Sequence, residues 1–191
     1  DSGRPLLSAG VAIHSLRAAR PESIARVAEG AGAGPIHIHI AEQTAEVDDC
    51  IAATGARPIE WLAKNVPLDP RWQLVHATHA TPGEIDAVAE SGAGVVICPT
   101  TEANLGDGLP DLPRWLASTT PLSLGSDSHV GRDALEELRL LEFGQRLQRR
   151  QRNVAADPGR EPATAARLFE RVVGGGGAAA GHAEWGFVEG A

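Results

Sequence analysis

The residues of this chain that could do chemistry fall at the ends of short apolar runs. "PIHIHIAEQ", residues 35–43, sets two histidines among isoleucines and follows them with Glu42. His37 and His39 share one face of an extended strand, because side chains alternate along it. His39 lies nearer the C-terminal end of the run and is the candidate metal ligand. His37 lies one layer deeper and is expected to be a hydrogen-bonded core residue. "WQLVHATH" reaches His76 and then His79. Their odd spacing puts them on opposite faces, so His76 is the site candidate and His79 is expected at the surface. "PLSLGSD" stops at Asp127, where a buried carboxylate needs a cation, and "AGVAIH" stops at His14. His129 receives no role, and His182, in a Gly-rich tail, is expected in solvent. His and Asp donors suit zinc, and an open coordination position would hold water. A carboxylate such as Glu42 beside that water is the usual general acid or base.

Side chains at the ends of different runs meet only if the runs are parallel strands of one sheet. Five runs qualify: Ala9–His14, Pro35–Ala41, Trp72–Thr78, Ala93–Thr100 and Pro121–Asp127. Their near-continuous apolar character suits strands buried on both faces. Helical segments alternate with them, which predicts an α/β fold with right-handed crossovers and a site at the strand C-termini. "TPGE" at 81–84 has the form of a capping box, with Pro82 at the first helical position and Gly92 as the stop. Thr44 and Gly55 bracket a second helix, and Pro21 and Gly30 a third. "TTEANLGDGLPDLPRW" (100–115) reads as a long loop after the fourth run, where loops usually carry function. "RDALEELRLLEFGQRLQRRQRNV" reads as a long helix with Leu135, Leu138, Leu141 and Leu147 on or near one face. Its basic end complements the helix dipole. "TAARLFERVV" is a further short helix, and "GGGGAAAG" a flexible exit.

The chain has 191 residues and a net charge of −8, which argues against nucleic acid as a partner. No apolar run reaches the length of a membrane span, and no leader pattern is visible, so a cytoplasmic location is the default. Cys50 and Cys98 each lie in a segment expected to be buried, with no disulfide framework. The absence of methionine and the abrupt C-terminus, "GHAEWGFVEGA", read as a fragment of a longer protein. The expected organisation is a partial barrel over 1–173 and the start of a truncated β-rich segment over 174–191.

Taken together, "HIAE", "LVHATH" and "LGSDSH" resemble the fifth, sixth and eighth strands of the amidohydrolase superfamily, in its single-metal deaminase branch. "VAIHSLRA", "HIHIAEQ", "CPTTEANLGDGLPDL" and the Leu-rich helix add a resemblance to the formimidoylglutamate deiminases of histidine degradation. It covers nearly the whole chain. The resemblance implies a partial (β/α)₈ TIM-like barrel, about strands 4–8, lacking the HxH pair that the first strand would supply. It implies one divalent metal ion, zinc first, held in part by His39 and Asp127, although iron and manganese also suit such donors. It implies catalytic roles for Glu42, His76 and Asp127, and a clamp on the substrate's glutamate part by His14 and Arg17. From residue type alone Arg17 reads equally well as a surface arginine opening the next helix. The chain by itself is expected to be inactive. Competing readings are a deaminase of guanine, cytosine or an adenosine-type substrate, which the absence of Tyr and the presence of only three Phe disfavour, and an inactive fragment. A homodimer is an option the sequence leaves open.

Overall fold

The computed structural model describes residues 8–182 and 185–186. Five strands and eight helices alternate in it: β1 (Val11–Ser15), α1 (Pro21–Gly30), β2 (Ile36–Ile40), α2 (Thr44–Thr54), α3 (Pro58–Asn65), β3 (Trp72–His76), α4 (Pro82–Ser91), β4 (Gly94–Ile97), α5 (Pro99–Leu105), α6 (Leu112–Ala117), β5 (Leu122–Leu124), α7 (Ala134–Arg149) and α8 (Thr164–Ala180). The strands form one sheet in the order β1-β2-β3-β4-β5, and every pairing is parallel. Each crossover therefore returns to the next neighbour. A sheet built that way curls in one direction and keeps its connecting helices on one side, which is the geometry of a barrel wall rather than of a doubly wound sheet.

The core lies between that outer face and the helices. Ile36, Ile38, Ile40, Trp72, Leu74, Val95, Ile97 and Leu122 pack with Ile24, Ile59, Leu62, Ile85, Val88, Leu112 and Trp115. Burying one such side chain fully contributes about 1.5–3 kcal/mol. The inner face is unlike the expectation of strands buried on both sides. In β2 the isoleucines are buried while His37 and His39 are only half-buried, and β1 alternates similarly. Only β3 and β4 are buried throughout.

The capping box forms as expected. Thr81 Oγ1 accepts from the Glu84 amide, Glu84 Oε2 accepts from the Thr81 amide at 2.9 Å, and Gly92 closes α4 in the left-handed conformation. Other expectations need correction. The long loop after β4 is mostly α5 and α6, because Pro99 opens a helix and Gly106 ends it at φ 73°. Helix α3 had no counterpart in the sequence reading. Gln43, not Thr44, is the N-cap of α2. On α7 only Leu141 of the expected face is fully buried; Leu135 and Leu147 are exposed, and Glu137, Glu142 and Gln145 take their place inside. Cys98 is buried but Cys50 only half-buried.

The "flexible exit" is helical. Residues 174–177, four glycines in a row, lie inside α8. The reason is contact: a Cβ at Gly175 would collide with the Leu122 backbone, so glycine lets the helix lie directly on β5. His182 stacks on Trp185, ring centroids 5.4 Å apart, rather than standing free. The rest of the expected β-rich segment, 183–184 and 187–191, lies outside the described residues. No helix among the described residues is long and apolar enough to cross a membrane.

Candidate active site

The strand C-termini bring the expected residues together. His14 is the penultimate residue of β1, His39 of β2, and His76 the last of β3. Parallel register sets Ile40 opposite His76 and Ser15 opposite His39, with an irregularity at His14. Bulges of this kind re-aim a side chain beside a site. The three imidazoles then stand side by side, 5.4 Å between the rings of His14 and His39 and 5.6 Å between those of His39 and His76. Asp127 arrives from the turn after β5. Residues Ala41, His76, Ala77 and Asp127 all have positive φ, from 47° to 70°. Non-glycine residues held there cost of order 1 kcal/mol or more each, and such positions cluster at functional sites.

His39 Nδ1 lies 2.7 Å from the His14 carbonyl oxygen and donates to it, so Nε2 carries the free lone pair and faces the cleft. Asp127 Oδ1 stands 3.3 Å from that Nε2. Two donors of a tetrahedral zinc at ~2.1 Å are roughly 3.4 Å apart, so this pair is spaced as ligands of one ion. His76 adds a third donor atom, and the three lie within 4.8 Å of one another. His76 is fully buried, and its Nε2 has no hydrogen-bond partner among the described residues, although a buried polar atom normally finds one. The donor set therefore fits a divalent ion of the zinc type.

Glu42 lies just past β2, nearly buried. Its Oε2 accepts from Arg17 Nη2 at 2.7 Å, and its Oε1 is 3.7 Å from His76 Nε2. Arg17 thus faces the site instead of standing as an isolated surface arginine. The His14 side chain is exposed and meets the Ser15 hydroxyl at 2.9 Å. His37 bonds the Ala179 carbonyl of α8 at 2.8 Å, as a hydrogen-bonded residue below the site. His79, expected at the surface, is half-buried and holds the Asp107 carbonyl at 2.8 Å. His129 stays in its own loop, accepting from the Gly131 amide.

Three of the buried acids to which the sequence assigns no role brace the site. Glu46 accepts from the amides of Ala41 and Glu42, at 3.1 and 2.8 Å, and so fixes the turn that presents Glu42. Glu102 accepts from His76 Nδ1 at 3.2 Å and from the Cys98 amide at 2.8 Å. Glu137 accepts from the amide and hydroxyl of Thr100, tying α5 to α7. Thr101, fully buried, donates to the Ser126 carbonyl and accepts from the His129 amide, bracing the turn that carries Asp127. Glu102 was findable in part: Pro99 and Gly106 bracket "PTTEANLG" as a helix, which places Glu102 in its first turn.

The electrostatics follow from these contacts. Burial alone would lower the His76 pKa, but the hydrogen bond and charge of Glu102 and the charges of Glu42 and Asp127 outweigh it and raise the value. Burial pushes the Glu102 carboxyl up, with His76 and the Cys98 amide opposing. For Asp127 burial acts upward, yet the Ser128 amide and the nearby His39 and His76 hold the carboxyl below its usual range. The inner face of the sheet opens on a cleft of about 690 Å³ lined by His37, His39, Val75, Cys98 and Asp127 among others.

Comparison with known proteins places these features in context. The model of the amidohydrolase family matches residues 2–167. Formimidoylglutamate deiminase of Pseudomonas aeruginosa is 51% identical over 176 residues, which are 91% of this chain and 38% of that protein. The crystal structure of an amidohydrolase from Brucella melitensis superposes with a TM-score of 0.87 at 45% identity, over 91% of this chain and 38% of the other. An adenosine deaminase from Xanthomonas campestris with bound zinc gives 0.80 at 26% identity, over 94% and 40%. The chain thus spans about two fifths of the length of the proteins it matches.

Proposed function

This chain belongs to the amidohydrolase family, and on that premise we propose that the whole protein is a metal-dependent deiminase that hydrolyses N-formimidoyl-L-glutamate to N-formyl-L-glutamate and ammonia, a step of histidine degradation. The observation that carries the reading is one cluster: the His39–Asp127 donor pair with Glu42 beside it and the Arg17 guanidinium 2.7 Å from Glu42. Hydrolysis of an amidine needs a proton-moving carboxyl beside the ion, and a glutamate carboxylate needs a cation; the cluster offers both. The 51% identity to a formimidoylglutamate deiminase supports the substrate, and the zinc bound in the adenosine deaminase supports zinc as the ion.

His39 and Asp127 would hold the ion, with further ligands supplied from outside this chain. The ion supplies Lewis acidity and makes a bound water more acidic. Asp127 accepts the proton that water gives up on attacking the formimidoyl carbon. Glu42 gives its proton to the imino nitrogen, takes up the proton of the new hydroxyl as the carbonyl forms and passes it to the departing ammonia, and is restored by the proton held on Asp127. His76, its ring held at the floor of the site, stabilises charge at the reacting carbon. Arg17 and His14 bind the carboxylates of the glutamate part. A guanidinium has five donors in a planar fork, so pairing through Nη2 with Glu42 leaves others for a carboxylate.

The test is ammonia release by the zinc-loaded whole protein from formimidoylglutamate, adenosine, guanine and cytosine. Preferred turnover of formimidoylglutamate supports the reading. Preference for one of the bases overturns it.

A further inference from the structure

We infer that Glu102 is a positioning residue for the reaction: by accepting from His76 Nδ1 it fixes the imidazole so that Nε2 faces the cleft. The inference rests on the role proposed above for His76. Glu102 is 2% exposed and His76 0%. An uncompensated buried carboxylate is costly, so one is kept where a donor needs it. A single oxygen, Oε1, takes both bonds, from His76 Nδ1 at 3.2 Å and from the Cys98 amide at 2.8 Å.

The second bond matters as much as the first. Cys98 is the residue before α5, so its amide anchors the carboxylate to the start of the helix that carries it. The acceptor is then rigid relative to β4, whose neighbour β3 carries His76. Turning the imidazole over would exchange Nδ1 for a carbon and leave both the ring N–H and Oε1 short of a partner. That edge of the ring is thus locked. The other nitrogen, Nε2, is left without a hydrogen-bond partner among the described residues, 3.7 Å from Glu42 Oε1 and close to the donor atoms of His39 and Asp127. Removing an outer partner of this kind typically lowers activity 10- to 100-fold. A helix cap alone would serve the Cys98 amide without reaching His76.

The experiment compares Glu102→Gln and Glu102→Leu with wild type in the zinc-loaded whole protein. Glutamine can place an amide oxygen where Oε1 lies and keep both bonds in weaker form; leucine keeps neither. We expect kcat for formimidoylglutamate to fall roughly 100-fold in Glu102→Leu and roughly 10-fold in Glu102→Gln, with KM and metal content within about threefold of wild type. The second readout is independent of turnover. With ¹⁵N-labelled histidine, wild type should show a slowly exchanging Nδ1–H proton from His76, identified by its loss in His76→Asn. That proton should persist in Glu102→Gln and vanish in Glu102→Leu.

Absence of a protected Nδ1–H in wild type overturns the inference even if Glu102→Leu fails to fold. So does its persistence in a folded Glu102→Leu, or an unchanged kcat there. If wild type shows the protected proton but does not turn over formimidoylglutamate, the functional reading falls and the positioning role stands. If wild type is active without that proton, the reverse holds.

Discussion

Replacing Glu42 by glutamine in the whole protein separates chemistry from structure. Glutamine keeps the size and the acceptor oxygen of Glu42 but cannot carry a proton. Two structural costs can be estimated. The ion pair with Arg17 loses its charge, but the Arg17 side chain is 37% exposed, so solvent screening limits that loss to about 1 kcal/mol or less. The Glu46 clamp acts on the Glu42 backbone and is untouched. Stability should therefore change by no more than a few degrees in Tm. Metal content should not change, because Glu42 is not one of the proposed ligands, His39 and Asp127, and lies outside the cluster of His39, His76 and Asp127 donor atoms. Proton transfer is different. General acid–base catalysis is worth roughly 10²–10⁴, and this reaction needs protons at nitrogen more than once. We expect kcat to fall at least ~1,000-fold, about 4 kcal/mol in the barrier. The assay is ammonia release at saturating formimidoylglutamate, with metal quantified by mass spectrometry and Tm by calorimetry on the same preparation. A variant within tenfold of wild type, or one whose loss of rate tracks a loss of metal, refutes the assignment.

Three other outcomes are expected. Arg17→Met should lower kcat/KM for formimidoylglutamate roughly 30- to 1,000-fold, mainly through KM, as a charge-assisted carboxylate contact is lost; equal turnover of formiminoglycine by wild type would count against the clamp. Two glycines of α8 should respond with opposite sign in urea unfolding. Gly174→Ala meets nothing within 4 Å and should gain up to about 1 kcal/mol, whereas Gly175→Ala drives a Cβ into the Leu122 backbone and should destabilise. Cys98, whose thiol pKa is pushed strongly upward by burial and then by the neighbouring carboxylates Glu102, Asp127 and Glu137, should resist iodoacetamide at pH 8 in the folded protein and react after denaturation; mapping the alkylated cysteines checks this.

The sequence carried what is governed by local rules. Alternating apolar runs and capped helices determine a parallel α/β sheet, since strand and helix periods are set by covalent geometry. The same rules put His14, His39 and His76 at successive strand ends and Asp127 just beyond the last, because parallel strands point their C-termini the same way. The Thr81–Glu84 cap was legible because it lies within four residues. What the sequence left open is governed by distance in space. Glu102 and His76 are separated along the chain, and only the fold that brings the start of α5 to the end of β3 at this pair lets the carboxylate lock the ring. Glu46 needed the fold of the turn at Ala41 before its carboxylate could be seen to hold Glu42. Helix α8 runs through four glycines, each disfavoured by about 1 kcal/mol in a helix, because close packing on Leu122 outweighs intrinsic propensity. Leu135 and Leu147 look like core residues by spacing, yet the core surface that α7 meets is decided by α5 and α8, and there Glu137 and Glu142 find amides to bond. Residue type and local period determine where chemistry could sit; the convergence of non-local segments decides which groups hold it in place.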